Sequence, residues 1–441
     1  MNNGAYFYCT MELNELFSLV RSSAGICTDT RTLRKGEVFF ALKGPSHDGN
    51  LYAAAAINAG AVAAVTDDPS LKGEMIICVT DVLTTLTELA VIHRKTLQVP
   101  VIAITGTNGK TTTKELVTAV LSRKKKVHST VGNMNNHIGV PLTLLGTPAD
   151  TGYLVIEMGA SHRGEIASLC STAMPTHGII TNIGKAHIEG FGSFENVIEA
   201  KSELYQWLRN NGGIALFNEN STTLTELVYH LVLKAVPYSD PGGTDLVVKA
   251  AVHDDPFLNV EVDYSGHRYA FTTHLFGSYN LDNVRAAMAV GIFFEVPIDE
   301  IIDAISLYRP SNNRSQIKKT ERNTLICDSY NANPSSMSKA LAAFGDINAE
   351  KKMVILGDML ELGHESLPEH SKVIETLGTM EGTEVLLVGP VFISLAKGGT
   401  TKTFRSSEEA REWLRKENLS GFTVLVKGSR GMMLEKVYDA L

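Results

Sequence analysis

Cysteine is scarce and badly spaced for pairing. The 441 residues hold five (Cys9, Cys27, Cys78, Cys170 and Cys327), odd in number and far apart. That excludes a disulfide framework or a cysteine metal centre and leaves free thiols suited to a reducing compartment. Basic residues are also in deficit. Forty Lys and Arg against 48 Asp and Glu leave a net charge of −8, so no basic stripe offers itself to nucleic acid. Long apolar runs are missing too. The most apolar stretch, residues 53–65, is broken by Asn58 and Gly60 and falls short of the ~20 residues a membrane span needs. The first residues lack the basic-then-apolar order of a signal peptide. No repeat period or low-complexity linker stands out. What remains, 44% hydrophobic and 20% charged, describes a globular chain expected in the cytoplasm, without a nucleic-acid partner and without membrane insertion.

At ~150 residues per domain the length suggests about three domains. Short β-rich runs alternate with helical stretches, which predicts α/β layering. In a first small unit, residues 1–98, the strands Val38-Phe39-Phe40-Ala41-Leu42 and Val62-Ala63-Ala64-Val65 flank a helix over about 51–58. A helix over 83–97 runs into Val99-Pro100, and the residue before proline disfavours helix, so a boundary falls there. The second unit, 99–310, restarts with the strand Val101-Ile102-Ala103-Ile104 and continues with Leu154-Val155-Ile156, Gly178-Ile179-Ile180-Thr181 and Ile214-Ala215-Leu216-Phe217. Hairpin-like strands over 245–275 precede a helix opening near Asn280. In the last unit, 311–441, strands at 324–327, 353–356, 385–388 and 422–426 are separated by helix-length segments, a doubly wound, Rossmann-like arrangement. The fold class expected is thus α/β in three domains: a small N-terminal α/β domain, a central P-loop parallel-sheet domain and a C-terminal Rossmann-like domain.

The strongest local signal is Gly106-Thr107-Asn108-Gly109-Lys110-Thr111-Thr112 after an apolar strand. Backbone N–H groups of such a turn and of the following helix converge on phosphate oxygens. Lys110 would reach the terminal phosphates and the Thr111 hydroxyl would ligate Mg²⁺. The general P-loop pattern has glycine five residues before Gly109, where Ile104 stands here. The bland alternative is an ordinary strand–turn–helix with an incidental lysine.

Glu157 closes the strand Leu154-Val155-Ile156, facing the same crevice in a parallel sheet, and so is a candidate Mg²⁺ group. His187 follows the strand that ends near Thr181 and could ligate the metal or hold its water. Either alone would pass for a solvated strand-end group. On residue physics alone Lys201, in Glu199-Ala200-Lys201-Ser202-Glu203, reads as a surface helix lysine with i,i+4 partners, and Arg123-Lys124-Lys125-Lys126 as a solvated helix end. The transporter-type Ser-Gly-Gly-Gln and GTPase-type Asn-Lys-x-Asp sequences are absent, which argues against a P-loop ATPase of motion or transport. A nucleotide-binding regulator would be expected to have lost Glu157 and His187.

Gly106-Thr107-Asn108-Gly109-Lys110-Thr111-Thr112 resembles the ATP loop of the Mur ligases, which also lacks the earlier glycine. Further matches follow in order: residues 132–139, Glu157-Met158-Gly159-Ala160-Ser161, Asn182-Ile183-Gly184-Lys185-Ala186-His187, Lys201-Ser202-Glu203, Asn280-Leu281-Asp282-Asn283, residues 328–334, residues 356–363 and Lys427-Gly428-Ser429-Arg430. Within the family, Tyr330-Asn331-Ala332-Asn333-Pro334 and Gly357-Asp358-Met359-Leu360-Glu361-Leu362-Gly363 are similar to the branch that adds D-alanyl-D-alanine. The Asp-Asn-Pro-Arg motif of the diamino-acid-adding branch is absent. The alternatives are that diamino-acid-adding branch or a folylpolyglutamate synthase-like ligase.

The resemblance implies an ATP-dependent amide ligase joining D-alanyl-D-alanine to UDP-N-acetylmuramoyl-tripeptide through an acyl phosphate, acting as a monomer. Residues 1–98 would bind the UDP substrate, 99–310 ATP, and 311–441 would complete the ligase site. It also implies roles. Lys110, His187 and Lys201 would be catalytic. Gly106, Thr107, Asn108, Gly109, Lys110, Thr111, Thr112, Asn280, Asn283, Arg314 and Asp328 would hold ATP. Thr30, Arg31, Asn135, Asn136, Ser161, Tyr330, Asn331 and Asn333 would face the other substrates. Thr111, Glu157, His187 and Lys201 would serve two Mg²⁺ ions, with Lys201 carbamylated.

Overall fold

The structure is a computed structural model and describes residues 11–185, 188–238, 246–251, 256–396 and 401–441. Three larger sheets, with one two-stranded ribbon, organise the described residues. The first is parallel, in the spatial order Ile26–Cys27, Val38–Phe40, Ala63–Thr66, Ile76–Cys78. Its side chains alternate between two cores. Val38, Phe40, Ala63 and Val65 face the helices Leu13–Ser22 and Val82–Thr96, while Phe39 and Ala64 face Ala53–Asn58. Period-two alternation with apolar residues on both faces is what a sheet covered on both sides requires.

The second sheet is also parallel, in the order Ala235–Pro237, Ile214–Phe217, His177–Ile180, Val101–Thr105, Tyr153–Glu157, Val127–Ser129. The phosphate-loop strand Val101–Thr105 is completely buried. It lies between the strands that end at Glu157 and Ile180, so their carboxyl ends open at one edge. That is where α/β sheets bind ligands.

The third sheet has nine strands. Leu246–Ala251, Phe257–Tyr264 and His267–Phe276 form an antiparallel meander that joins the C-terminal strands through one register pair, Leu275 with Gln316. The sequence division at 310 therefore falls in a connection inside one continuous sheet. Beyond it, Gln316–Lys319 pairs antiparallel with Thr324–Asp328, from which Phe422–Lys427, Lys351–Gly357, Thr383–Val388 and Lys402–Phe404 continue in parallel. Ile326, Val354 and Leu425 pack on the helices Pro334–Gly345 and Ser366–Gly378, and Leu325, Ile355 and Val424 pack on Ser407–Glu417. Helices thus cover both faces, the doubly wound arrangement expected. No helix of the described residues is long and apolar enough to cross a membrane.

Polar contacts at both junctions help tie the units together. Arg94, on Val82–Thr96, is buried and donates to the carbonyls of Ala173 (2.7 Å), Met174 (2.9 Å) and Leu97 (2.9 Å). It thereby satisfies the open C-terminus of the helix Glu165–Ala173, where a cation suits the dipole. Arg94→Ala should lower unfolding stability by about 1–3 kcal/mol, because the carbonyls lose their donors in a buried site. Urea denaturation checks it, and an unchanged midpoint would remove Arg94 as the tie. At the second junction Tyr308 and Asn312 both donate to Glu115 on the phosphate-loop helix Lys110–Leu121. The basic run 123–126 is an exposed segment just past the helix Lys110–Leu121, as expected, and three of its cations find partners there: Arg123 pairs with Glu300, Lys124 with Glu295 and Lys126 with Asp150.

Candidate active site

The carboxyl ends of the second and third sheets face each other across a cleft of about 380 Å³. On one wall the chain leaves Val101–Thr105, turns through residues 106–109 and enters the helix Lys110–Leu121. Gly106 has φ +140° and Gly109 φ +79°, and a Cβ would collide with the Thr181 hydroxyl at the first and the Asn283 amide at the second. Only glycine satisfies both the handedness and the close approach. No side chain caps this helix, which leaves its first N–H groups and the positive end of its dipole for an anion. Asn182 clamps the loop from the next strand: its Oδ1 accepts from the Asn108 N–H (3.0 Å) and its Nδ2 donates to the Asn108 carbonyl (2.9 Å).

Lys110, half-buried, folds its ammonium back onto the carbonyls of Gly106 (2.8 Å) and Thr107 (3.1 Å). Burial lowers its pKa to about 8; Glu157 pulls it up and Arg314 pushes it down. An arriving polyphosphate would restore the full charge.

Behind the loop, Glu157 is buried at the end of its strand. Its Oε1 accepts from Thr111 Oγ1 (3.2 Å) and Asn135 Nδ2 (2.7 Å), whereas its Oε2 is buried with no partner among the described residues. An orphaned carboxylate oxygen beside a threonine hydroxyl, at the edge of a phosphate site, fits a divalent cation. Mg²⁺ takes only one or two protein carboxylates and completes its shell with phosphate oxygens and water. His187, expected at the same metal, lies outside the described residues.

Lys201 corrects the expectation from residue physics. It is 3% exposed, not a surface lysine, and lies at the heart of the helix Phe194–Asn210. Among the described residues its Nζ reaches the Ala160 carbonyl, at 3.5 Å, and the Phe191 ring, at 5.5 Å. Burial first, then the Lys110 charge, pull its pKa down to about 7 against the opposing pull of Glu165 and Glu203. A signal existed in the sequence. Val197, Ala200, Leu204, Tyr205 and Leu208 form the buried stripe of this helix, and Lys201 sits inside that i, i+3, i+4 pattern.

The opposite wall belongs to the C-terminal domain. Asp328 and Lys427 end adjacent strands in register. Lys427 donates to Asp328 (2.7 Å) and to the Asn331 carbonyl (3.2 Å), and the other Asp328 oxygen accepts from the Ser315 N–H (2.9 Å). The Arg314 guanidinium carbon sits over the Tyr330 ring, 3.5 Å from its centroid, and its buried Nε has no partner among the described residues. Its neighbours Asn313 and Ser315 both have positive φ, a strained backbone of the kind held at functional positions. Asn280 and Asn283 sit beneath the phosphate loop. Asn283 donates to Asn280 and accepts from Thr113, and Asn280 donates to Ser315.

The cleft thus collects Thr107, Asn108, Gly109, Lys110, Thr112, Asn135, Asn136, Glu157 and Ser161 from one side and Arg314, Asp328, Tyr330, Asn331 and Asn333 from the other, with Asn280 and Asn283 between. Gly106 and Thr111 support it from behind. Thr30 and Arg31 are not among its lining residues. Arg31 is exposed and forks onto Asp29, whose carboxyl it holds down at about 2. Asn182 and Lys427 were legible only as motif members; the clamp and the buried ion pair give each a role.

Three family models match the chain: the Mur ligase family, catalytic domain over residues 23–105, the Mur ligase middle domain over 104–291, and the Mur ligase, glutamate ligase domain over 313–430. The UDP-N-acetylmuramoyl-tripeptide--D-alanyl-D-alanine ligase of Bacillus subtilis is 34% identical over 431 residues, spanning 95% of this chain and 93% of the relative. Among solved structures, MurF from Acinetobacter baumannii has a TM-score of 0.84 at 29% identity, covering 94% of this chain and 92% of that one. The MurF ligase of Thermotoga maritima, in complex with ADP, has a TM-score of 0.83 at 27% identity, with 94% and 96% covered. A glycine-hinged phosphate loop facing a second nucleotide-sized wall, in a chain matched end to end in this way, has one family assignment: this protein belongs to the Mur ligases.

Proposed function

We propose that this chain is an ATP-dependent amide ligase that joins D-alanyl-D-alanine to UDP-N-acetylmuramoyl-tripeptide in peptidoglycan precursor synthesis. The observation that carries the reading is the single cleft in which the phosphate loop meets Tyr330, Asn331 and Asn333. The diamino-acid-adding and folylpolyglutamate synthase-like alternatives are not favoured, since the relatives matched over nearly the whole chain carry the dipeptide-adding name.

In this reaction the tripeptide's terminal carboxylate oxygen attacks the γ-phosphorus of ATP. The bond to the ADP oxygen breaks, leaving an acyl phosphate. The amine of D-alanyl-D-alanine then attacks the acyl carbon, loses a proton, and phosphate departs with the electron pair to leave an amide. Lys110 would exchange the loop carbonyls for phosphate oxygens and balance charge as it shifts toward the leaving group. Arg314, with an unpartnered Nε, would do the same from the C-terminal wall. The open helix N-terminus would hold the phosphates, and Asn135, Asn136 and Ser161 would present the muramoyl peptide. Glu157 and Thr111 would hold Mg²⁺, which when bound supplies charge neutralisation between phosphate oxygens. Two walls closing over the acyl phosphate would align the amine and exclude water, a proximity contribution of about 7–11 kcal/mol at most.

Lys201 would be carbamylated. With its pKa down at about 7, a neutral amine is available near neutral pH. That amine adds to CO₂, forming an N–C bond and releasing a proton, and a buried cation becomes an anion with two hard oxygen donors. The acceptor test is direct. D-alanyl-D-alanine with the UDP-tripeptide should drive ADP release, and meso-diaminopimelate or L-lysine should not. Robust turnover with a single diamino acid would overturn the assignment.

A further inference from the structure

Asn108 and Asn333 lie 225 residues apart, one in the phosphate loop and one at the start of a C-terminal-domain helix, yet their amides touch. Asn333 Nδ2 donates to Asn108 Oδ1 at 2.8 Å. The direction of this bond follows from chemistry alone. Asn333 is the N-cap of Pro334–Gly345, and its Oδ1 accepts from the Ser336 backbone N–H at 2.9 Å. A backbone N–H can only donate, so the capping atom must be the oxygen and Nδ2 must face the phosphate loop. Asn108 must therefore turn its own oxygen to Asn333, and its Nδ2 is the atom left over. That atom is buried and has no partner among the described residues, in a residue that lines the cleft. A buried amide donor without an acceptor is costly unless something arrives to use it.

We propose that Asn333 is a positioning residue. By capping its helix with one amide atom and holding Asn108 with the other, it aims Asn108 Nδ2 at an oxygen of the phosphoryl group held by the loop. The anion-binding donor is then correctly oriented only when the C-terminal domain has closed. Docking of that domain and recognition of the transferred phosphoryl become one event, so ATP is not committed in the open enzyme. This inference rests on the phosphoryl-transfer reading above.

The test uses Asn333→Ser. Serine caps a helix as well as asparagine, so the melting temperature should stay at the wild-type value. Its hydroxyl is too short to reach Asn108, so kcat/KM for ATP should fall by about tenfold or more, the loss of one charge-assisted hydrogen bond. KM for D-alanyl-D-alanine should change by less than about twofold. In an Asn108→Ala background the same substitution should cost nothing further, because no amide remains to aim. Asn333→Asp serves as a second variant. It keeps the cap but presents an acceptor, inverts the Asn108 amide, and should be worse than serine. Wild-type ATP kinetics in both variants overturn the inference, as does an undiminished serine effect in the Asn108→Ala background. If the wild-type enzyme releases no ADP with this acceptor, the functional reading fails instead, and the two failures are distinguishable.

Discussion

Lys110→Ala should reduce acceptor-dependent ADP release by about 10²–10³-fold or more, the loss expected when a preorganised charge is removed from a developing phosphoryl transition state. The fold should survive. With its pKa at about 8 rather than 10.5, the ammonium is less comfortable in the folded chain than in the unfolded one. The sign is as follows: the unfolded state binds more protons between about pH 8 and 10.5, so this group's contribution to stability rises with pH through that window and is least favourable below it. Deleting the side chain at pH 7 therefore removes a cost along with two hydrogen bonds to loop carbonyls, and the thermal midpoint should barely move. Steady-state ADP release and a thermal melt on the same preparation check both halves. Retention of more than about a tenth of the wild-type rate would contradict the role.

The second large effect belongs to Lys201. Lys201→Ala should be inactive, and so should Lys201→Arg, although arginine keeps a cation. Guanidinium stays protonated and cannot take up CO₂, so the arginine variant separates a carbamate from a merely structural positive charge. Wild-type enzyme depleted of CO₂ should lose activity and regain it with bicarbonate. A ¹³C carbamate resonance should appear with labelled CO₂ and be missing in Lys201→Ala. The reacting species is the neutral amine, so at a fixed CO₂ concentration reactivation should be slower at pH 6 than at pH 8, on either side of the lowered pKa of about 7. Full activity in Lys201→Ala would end the catalytic assignment, and CO₂-independent wild-type activity would end the modification.

The phosphate loop was readable in one dimension because everything that makes it is contiguous: a buried strand, two glycines needing positive φ, and a helix start left uncapped. Glu157 was readable for a related reason, since a carboxylate at the end of an apolar strand must emerge at the carboxyl edge of a parallel sheet. Residue physics alone reads Lys201 as a surface residue because of its acidic neighbours in sequence, whereas it is buried. Those acids do other work: Glu203 accepts from the N–H groups of Gly164 and Ala167, and Glu199 pairs with Arg163. The apolar stripe around Lys201 was the better guide.

By itself, then, the amino-acid order determined the α/β class, the strands, the start of the phosphate-binding helix and the motifs that carry the family likeness. These depend on backbone preferences and side-chain periods over a few consecutive residues. Tertiary structure alone decided that Lys201 feels the charge of Lys110, that Lys427 pairs with Asp328, that the meander joins the C-terminal sheet through Leu275 and Gln316, and that Asn333 meets Asn108. Each of those depends on which surfaces of distant segments come to share one low-dielectric space. There the direction of a single amide, or the proton on a single amine, is set by neighbours the local sequence does not contain.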